Sequence, residues 1–414
     1  MKAVPYKKSI SKCWACNSGT LPLYKINNFP FTGRFPRKDE ETMIGDISMT
    51  MCKQCNLIQL EEAYSPEEMY NEYYYSSSIN NTMRIHLMNL VTDIINSYGS
   101  EIPGRWLDSG CNDGFTLSIA KSIGCECFGI DPSNIIGKYF NKIFKTESGR
   151  FINDIFPTEK LDNHYKFDVI TTISMFYDIY NLKQFLNKVE DHLTEKGIWI
   201  IEMNYTKDMI LNNGYDMIGH EHITYYTLNS FIKLLNKHSN ILNVFKCNFS
   251  KINGGSIRIF VDKGIRDIDH SVKKTLEEED QAGLNSYEFI KNYFNQIEIH
   301  AQKVNNFIKK LKKEGKRISI YGASTRGNTN LLLSKLEKNM IEFAYDKNTD
   351  KIGRYCPGSD ILIKNENFIL EDMPDYLIVM PYSFINEFLI KEKEYLKRGG
   401  KIVTLVPEIK IYDF

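Results

Sequence analysis

Residues 105–114 read RWLDSGCNDG, a short apolar run followed by a turn that contains two glycines. The run predicts a buried strand, and the glycines predict a tight turn in which the backbone can approach a ligand. The glycine spacing differs from the dinucleotide motif G-x-G-x-x-G and from the phosphate-binding P-loop. We therefore expect a cofactor site of another type here, with a strand, turn and helix that bind nothing as the alternative.

The next predicted strand ends in an acidic residue that supports a nucleoside cofactor. Asp131 follows the run ECFGI, and an acid at this place typically holds the ribose hydroxyls of a nucleoside. Together with Asp108 before the first glycine, it resembles the first signature of class I S-adenosylmethionine-dependent methyltransferases. The resemblance implies that S-adenosylmethionine is bound by Asp108, Gly110, Asn112, Asp113 and Asp131.

Three regions of the chain differ in pattern. Residues 1–75 are rich in Cys, Pro and Gly, and residues 76–250 alternate helical and strand-like runs. Residues 251–414 contain a long charged helical stretch and then a second alternation, which is typical of a parallel sheet. We predict an α/β protein with a small N-terminal zinc-binding domain, a central class I methyltransferase (Rossmann-like) domain and a C-terminal Rossmann-like α/β domain, over these three ranges.

Two Cys-x-x-Cys pairs, Cys13 with Cys16 and Cys52 with Cys55, lie in the N-terminal region. Four thiolates in two such pairs suit tetrahedral Zn²⁺. Four cysteine ligands leave no open position for water, so the predicted zinc is structural. It would support a segment of roughly 70 residues that cannot easily build its own core. Four unrelated buried or redox-active cysteines are the alternative.

Residues 219–227 read GHEHITYYT and contain the histidines His220 and His222 on either side of Glu221. Histidine suits proton transfer near neutral pH, so a catalytic or substrate-contacting role is favoured. A metal site lacks a third ligand at a recognisable spacing, and a structural loop is the other alternative. On an extended segment the two histidines would share one face, with the glutamate on the other.

Eight segments of the chain, taken in order, resemble the nucleotide-sugar C-methyltransferases that have a zinc-binding, a methyltransferase and a C-terminal Rossmann-like domain. Besides the cysteine quartet and residues 107–114, they are YYYSSS at 73–78, HEHITYYT at 220–227, NGGSIR at 253–258, EEEDQAGL at 277–284, YGASTRGN at 321–328 and DKNTDKIGRYCPG at 346–358. These enzymes methylate C-3 of dTDP-4-keto-deoxysugars. The resemblance therefore implies a nucleotide-sugar substrate in branched-sugar biosynthesis.

The resemblance also implies roles for individual residues. His222 is the expected base with Glu221 beside it, because a C-4 ketone acidifies the C-3 proton and the reaction needs a base and a donor near the ketone oxygen. Tyr225 or Tyr226 is the expected donor. The substrate contacts that the resemblance implies are Tyr75, also expected to take part in catalysis, Gly322, Ser324, Arg326 and Asn328, with packing between domains as the alternative for the tyrosines at 73–75. His220 and Asp178 are further expected substrate contacts, with a solvated loop residue as the alternative for Asp178.

Three departures from the family pattern leave the exact sugar and the methylated position open. The family usually has a histidine where this chain has Asp178, and a tyrosine where it has Gly219. The third is MPYSFINEF at 380–388, where the family more often shows a tryptophan and an asparagine. An O- or N-methyltransferase on a related sugar nucleotide is the first alternative. A non-catalytic zinc-knuckle binding protein and a nucleic-acid methyltransferase are further ones.

The composition limits the kinds of partner and the cellular location that can be expected. Lys plus Arg and Asp plus Glu both number 52, so the formal net charge is zero and no basic face for nucleic acid is implied. No apolar run of about 18 residues and no apolar leader is visible, so we expect a cytoplasmic protein that does not bind membranes. A chain that covers its own cleft with three domains is expected to work as a monomer.

Overall fold

The computed structural model describes residues 1–66, 69, 74, 76–78, 80–99, 101–133 and 149–414. Tyr75, predicted to contact the sugar, lies outside the described residues. No helix in these ranges combines the length and the apolar composition that crossing a bilayer requires.

A five-stranded sheet forms the N-terminal region, and a distant segment contributes one of its strands. Thr224–Tyr225 pairs antiparallel with Ile58–Leu60, so the segment at 219–227 is joined to this sheet. Lys8–Ser9 and Glu62–Ala63 form a separate two-stranded sheet. The remaining strands of the larger sheet are Lys2–Ala3, Thr20–Pro30 and Met43–Cys52.

The central region has a seven-stranded sheet in the class I methyltransferase order. Counted along the chain the order is 3-2-1-4-5-7-6, and the seventh strand, Ser256–Asp262, is antiparallel to both of its neighbours. The sheet therefore continues beyond residue 250, where the central domain was predicted to end. The first six strands are Arg105–Ser109, Glu126–Ile130, Gly149–Ile152, Phe167–Ile173, Leu193–Asn204 and Asn243–Ser250.

Helices cover this sheet with amphipathic faces. The helix Asn81–Tyr98 begins where the Asn80 side chain accepts the Met83 N–H, and it buries Leu87, Leu90 and Ile94 at helical spacing. The other helices of the region are Phe115–Ser122, Leu182–His192, Thr206–Leu211 and Leu228–His238.

The C-terminal region is a second doubly wound sheet. Its order reverses between Ile318–Tyr321 and Tyr376–Val379, and both of these strands are buried throughout, as expected where helices cover both faces. Open α/β sheets bind ligands at such a switch point, outside the carboxyl ends of the strands. The remaining strands are Ala344–Asp346, Ile363–Asn365, Lys401–Thr404 and Lys410–Tyr412. The helices are His270–Gln281, Tyr287–Lys313, Thr325–Leu333, Ile369–Asp372, Ile385–Lys391 and Lys393–Lys397.

Short 3₁₀ helices complete the described elements. They are Phe176–Asp178, Tyr215–Met217, Ile252–Gly254, Thr349–Lys351, Glu366–Phe368 and Tyr382–Phe384.

Candidate active site

One cavity of about 630 Å³ is lined by residues from all three regions. Gly33 and Phe35 come from the N-terminal region, and the carboxyl ends of the two doubly wound sheets supply most of the rest. The lining residues that directly follow strands of these sheets are Gly110, Asp131, Ser174, Gly322, Lys347, Glu366 and Met380. The two sheets therefore present their ligand-binding edges to one shared space.

The predicted glycine turn lies at one end of this cavity. Gly110 and Gly114 have φ angles of 78° and 76°, in the left-handed region that favours glycine. A Cβ added to Gly110 would lie 2.7 Å from Cγ of Met175. Both glycines are therefore required by the turn, as the sequence predicted.

Two predicted cofactor acids line the cavity beside this turn. Asp108 accepts a hydrogen bond from Oγ1 of Thr171 at 2.7 Å, and burial raises the pKa of its carboxyl to about 7. Asp131 accepts the backbone N–H groups of Asn112 and Ser133, each at 2.8 Å, and burial raises the pKa of its carboxyl. Oδ1 also accepts the hydroxyl of Ser133, so both of its lone pairs are used, whereas Oδ2 keeps a lone pair that can accept a ribose hydroxyl of S-adenosylmethionine.

The side chain of Asp113 has a different role from the one predicted. Asn112 lines the cavity, but the Asp113 carboxylate is buried and holds residues 76–78 through hydrogen bonds from Ser76 and Ser78. The turn was predicted from local spacing, whereas the direction of this side chain depends on a segment that packs against it.

Glu221 and His222 both line the cavity. Nδ1 of His222 lies 2.6 Å from the carbonyl oxygen of Met217. A carbonyl can only accept, so Nδ1 carries the proton and Nε2 is left with its lone pair. Burial and, to a smaller extent, the charge of Arg326 together lower the pKa of His222 to about 4, so the ring is neutral at pH 7.

Burial shifts the pKa of the neighbouring carboxyl in the opposite direction. It raises the pKa of Glu221 to about 7, because the charged form is poorly solvated there. The carboxyl approaches the N-terminal region closely: a Cβ added to Gly33 would lie 2.2 Å from Oε1 of Glu221. Adjacent groups with opposite pKa shifts are a common arrangement for acid–base chemistry.

His220 does not face the cavity, contrary to the prediction. It is 2 % exposed, stacks on Phe31 with ring centroids 4.0 Å apart, and lies 3.1 Å through Nε2 from the carbonyl oxygen of Gly45. The prediction assumed an extended segment, but the N–H of His222 bonds the carbonyl of Gly219 in a turn. The two histidines therefore point in different directions.

The predicted proton donors are also buried elsewhere. The hydroxyl of Tyr225 lies 3.4 Å from the Met217 carbonyl oxygen, and Tyr226 packs in the core beside the cysteine cluster. Tyr177 lines the cavity instead, with its ring edge-on to His222 at a centroid distance of 4.6 Å. Tyr177 could have been found from the sequence, because it directly precedes Asp178, a predicted substrate contact that also lines the cavity.

Gly322, Ser324 and Arg326, which were predicted to contact the substrate, line the cavity. The Arg326 guanidinium binds the buried Asp216 carboxylate through Nε at 2.8 Å and Nη2 at 2.6 Å. It also donates to the carbonyl of Asn253, so its donors are largely occupied by the protein. Sequence analysis missed the role of Asp216 because the two residues are far apart in the chain.

Asn328 lies outside the cavity, contrary to the prediction. Its side chain is 1 % exposed and donates from Nδ2 to the carbonyl oxygen of Thr32 at 2.8 Å. The residue belongs to the helix Thr325–Leu333, and its bond to Thr32 connects that helix to the N-terminal region. Membership of the motif therefore did not imply contact with the ligand.

Charge is distributed unevenly around the cavity. Among its described lining residues the central region contributes carboxylates and no lysine or arginine, whereas the C-terminal region contributes four cations together with three carboxylates. The central carboxylates are Asp108, Asp131, Asp154, Asp178, Asp216 and Glu221; the cations are Arg326, Lys347, Lys351 and Lys391. The wall from the central region is thus acidic, and the cations come from the C-terminal region and, through Lys7, from the N-terminal region.

The four paired cysteines gather their sulfur atoms within 4.8 Å of one another. Individual Sγ–Sγ distances are 3.5 Å for Cys13 with Cys55, 3.4 Å for Cys16 with Cys52, and 3.7 Å for Cys16 with Cys55. A tetrahedral Zn²⁺ with Zn–S bonds of about 2.3 Å separates its sulfurs by about 3.8 Å. The donor set and its spacing therefore fit zinc.

Comparison with known proteins gives matches along the whole chain. Residues 83–239 match a family model described as a methyltransferase domain, and residues 251–407 match one described as a C-methyltransferase C-terminal domain. The C-methyltransferase NovU of Streptomyces niveus is 24% identical over 412 residues, which cover 98% of this chain and 97% of that protein. These matches confirm the resemblance to C-methyltransferases that the motifs indicated.

Similar solved structures each cover less than half of the chain. One is an S-adenosylmethionine-dependent methyltransferase from Clostridium acetobutylicum, with a TM-score of 0.35, 16% identity, and coverage of 44% of this chain and 92% of that one. Another is the N-methyltransferase NodS from Bradyrhizobium japonicum, with a TM-score of 0.34, 14% identity, and coverage of 45% and 98%.

The sheet order, the cofactor turn and the family models agree. The chain is an S-adenosylmethionine-dependent methyltransferase, and the predicted α/β fold class with a central class I domain is confirmed.

Proposed function

We propose that this S-adenosylmethionine-dependent methyltransferase methylates carbon C-3 of a nucleotide-linked 4-keto-deoxysugar, with His222 as the base, in branched-sugar biosynthesis. The observation that carries the proposal is the His222 ring, whose Nδ1 is held by the Met217 carbonyl in the shared cavity. A C-methyltransferase needs such a base, because the carbon must lose a proton before it can attack.

The state of the His222 ring suits this proton transfer. Burial keeps the imidazole neutral, and the bond at Nδ1 leaves Nε2 as the basic atom. Hydrogen bonding to a fixed carbonyl also fixes the ring plane, which limits the reorganisation needed when the proton is transferred. An O- or N-methyltransferase would not need a base that reaches a carbon-bound proton.

The bond changes of the proposed reaction can be followed atom by atom. The C-3 proton moves to Nε2 of His222, and the electron pair of the broken bond forms the C-3–C-4 double bond while the ketone oxygen becomes an enolate. Bound S-adenosylmethionine supplies the methyl group as an electrophilic sulfonium. C-3 then forms its bond to the methyl carbon, the ketone is restored, and the pair of the broken carbon–sulfur bond stays on sulfur.

The enolate oxygen needs a donor, and Glu221 can serve as one. With a pKa of about 7 its carboxyl holds a proton for much of the time at neutral pH. A protonated carboxyl donates a hydrogen bond, which stabilises charge that develops on the oxygen. The proposed pair is therefore a neutral histidine as base and a protonated glutamate as donor.

The distribution of charge supports an orientation for the substrate. A nucleoside diphosphate is anionic, and four of the five cations among the described lining residues come from the C-terminal region; the fifth is Lys7. We place the nucleotide there, near Gly322 and Ser324, and the sugar between the two ends beside His222. The cysteine quartet is proposed to bind structural Zn²⁺, and a single chain supplies every described wall of the cavity, so we propose that the enzyme works as a monomer.

The test is isotope exchange by mass spectrometry with a panel of nucleotide-linked 4-keto-6-deoxysugars. In D₂O without the methyl donor, the proposal requires enzyme-dependent deuterium incorporation beside the ketone, and with S-adenosylmethionine it requires the mass gain of one methyl group. His222→Asn, which keeps a donor for the Met217 carbonyl but has no basic nitrogen, should lose both. The matched control is His164→Asn, because the His164 side chain is 95% exposed. Methyl transfer without exchange would instead establish O- or N-methylation.

A further inference from the structure

The buried carboxylate of Asp113 holds a neighbouring segment through one oxygen atom. Oδ2 accepts hydrogen bonds from Oγ of Ser76 at 2.6 Å, from N of Ser78 at 2.8 Å and from Oγ of Ser78 at 2.7 Å. Oδ1 accepts the N–H of Phe115 at 3.2 Å and so caps the helix after the cofactor turn. Charged acceptors make the stronger hydrogen bonds, so this is a firm attachment.

A second attachment lies next to the first. The backbone N–H of Ser77 donates to Oδ1 of Asn112 at 2.9 Å, and its hydroxyl lies 3.2 Å from the same atom. Ser77 and Asn112 both line the cavity, together with Gly110 and Asp131 of the cofactor site. Residues 76–78 therefore lie directly on the turn that is built for the cofactor.

The chain just before this segment is attached to the C-terminal region. The carbonyl oxygen of Tyr74 accepts a hydrogen bond from Nδ2 of Asn348 at 2.7 Å. The Tyr74 ring packs edge-on against Phe35 with centroids 5.5 Å apart, and the Arg354 guanidinium lies 5.1 Å from its centroid. We call residues 76–78 the serine strap; Tyr74, which is described two residues before it, is held by the C-terminal region.

We infer that Asp113 is a positioning residue that fastens the serine strap over the bound cofactor, so that the strap must detach before S-adenosylmethionine or its product can leave. The cavity wall formed by Ser77 lies on the turn itself, and the contacts that hold it there converge on Asp113 and Asn112. The inference rests on the established cofactor dependence and not on the identity of the sugar.

The structure offers two independent ways to detach the strap. Asp113→Asn can keep the cap on Phe115 with its amide oxygen while its NH₂ group faces the serine donors, which opposes the strap without removing the turn. Ser76→Ala with Ser78→Ala removes two of the three donors and leaves the aspartate in place. The control is Ser122→Ala, since Ser122 does not line the cavity and its hydroxyl donates to the carbonyl of Ile119 in its own helix.

The measurement is the dissociation rate of tritiated S-adenosylmethionine, chased with an excess of the unlabelled cofactor in the absence of substrate. We expect the rate to rise at least about tenfold in Asp113→Asn and in the double serine variant, and to stay at the wild-type value in Ser122→Ala. Combining the variants should add little, because they break the same contacts.

Two results would overturn the inference. An unchanged dissociation rate in the double serine variant would show that the strap does not control release. A loss of affinity in Asp113→Asn alone would make Asp113 a direct cofactor ligand. If Asp113→Asn fails to fold, the serine variant decides the question, and neither measurement depends on the sugar substrate.

Discussion

Glu221→Gln provides a sharp test of the proposed chemistry because the carboxyl has a strongly perturbed environment. No hydrogen bond or ion pair to its side chain occurs within the described ranges, and burial alone raises its pKa from 4.5 to about 7. If the protonated carboxyl donates to the enolate oxygen, activity requires pH below this value. It also requires neutral His222, and therefore pH above about 4.

The size of the effect follows from these values. At pH 6 a carboxyl group with a pKa of about 7 is about 90% protonated, whereas one with the ordinary value of 4.5 is about 3% protonated. The wild-type kcat/KM should therefore be nearly constant from about pH 5 to 6 and fall about tenfold per pH unit above pH 7. An amide donates at every pH, so Glu221→Gln should remove the alkaline limb and keep the acid one.

The assay is methyl transfer at low substrate concentration between pH 5 and 9, since kcat/KM reports the free enzyme. Glu126→Gln is the control, because Glu126 begins the second strand of the central sheet away from the cavity and pairs with Arg105 at the surface. An alkaline limb near pH 7 that persists in Glu221→Gln would refute the donor role. So would a Glu221→Gln enzyme that is inactive at every pH while still binding the cofactor, because the carboxylate itself would then be needed.

Three further outcomes are expected. Removing the metal with a chelator should lower the melting temperature and abolish deuterium exchange, because the cysteine cluster packs in one core with the central region. A calorimetric unfolding transition that does not change after the loss of zinc would contradict this expectation. Arg326→Lys should destabilise the fold by about 3 kcal/mol in denaturant titration, because the buried Asp216 loses its two-point partner; a change below about 1 kcal/mol would mean that lysine replaces it fully. His220→Ala should cost about 3 kcal/mol through lost packing and leave the alkaline limb of kcat/KM in place, and loss of that limb would give His220 a direct role in the chemistry.

The features that the sequence predicted correctly are determined by residues that lie close together in the chain. The turn at Gly110 needs positive φ angles, and the strands beside it have apolar runs of strand length, so neighbouring residues alone specify the cofactor turn. The position of Asp131 beside this turn could be predicted in the same way, because parallel strands bring their carboxyl ends to one edge of the sheet. The spacing within each Cys-x-x-Cys pair likewise brings two sulfur atoms together without help from distant residues.

What the sequence did not predict depends on contacts between distant segments. His220 and Asn328 belong to the motifs, but N-terminal partners in Gly45 and Thr32 turn their side chains away from the cavity. Asp113 lies in the right turn and yet holds the serine strap. A motif therefore located the site within a few residues, whereas the direction of each side chain was set by tertiary packing.

The position of His222 is set by two regions that meet at the next residue. The carbonyl of Ile223 accepts the N–H of Leu60 at 2.8 Å, and its own N–H donates to the carbonyl of Tyr177 at 2.9 Å. Leu60 ends a strand that begins shortly after Cys55, whereas Tyr177 belongs to the central region. The proposed base is thus held between the cysteine-bearing sheet and the methyltransferase domain.

Because of this arrangement, the cysteine cluster can affect the proposed catalysis without lying beside the substrate. The strand Ile58–Leu60 pairs with Met43–Cys52 on one side and with Thr224–Tyr225 on the other, so it connects the cysteine pair directly to the segment of the base. The Trp14 indole N–H donates to the Leu60 carbonyl at 2.7 Å, and the Trp14 backbone N–H donates to Oε1 of Gln59, so the first cysteine pair holds the same strand. Catalytic groups must be held to within a fraction of an ångström. Here the two cysteine pairs hold the strand Ile58–Leu60, and that strand holds the segment that contains His222. A structural metal would therefore contribute to proton transfer through position alone, without contacting the substrate.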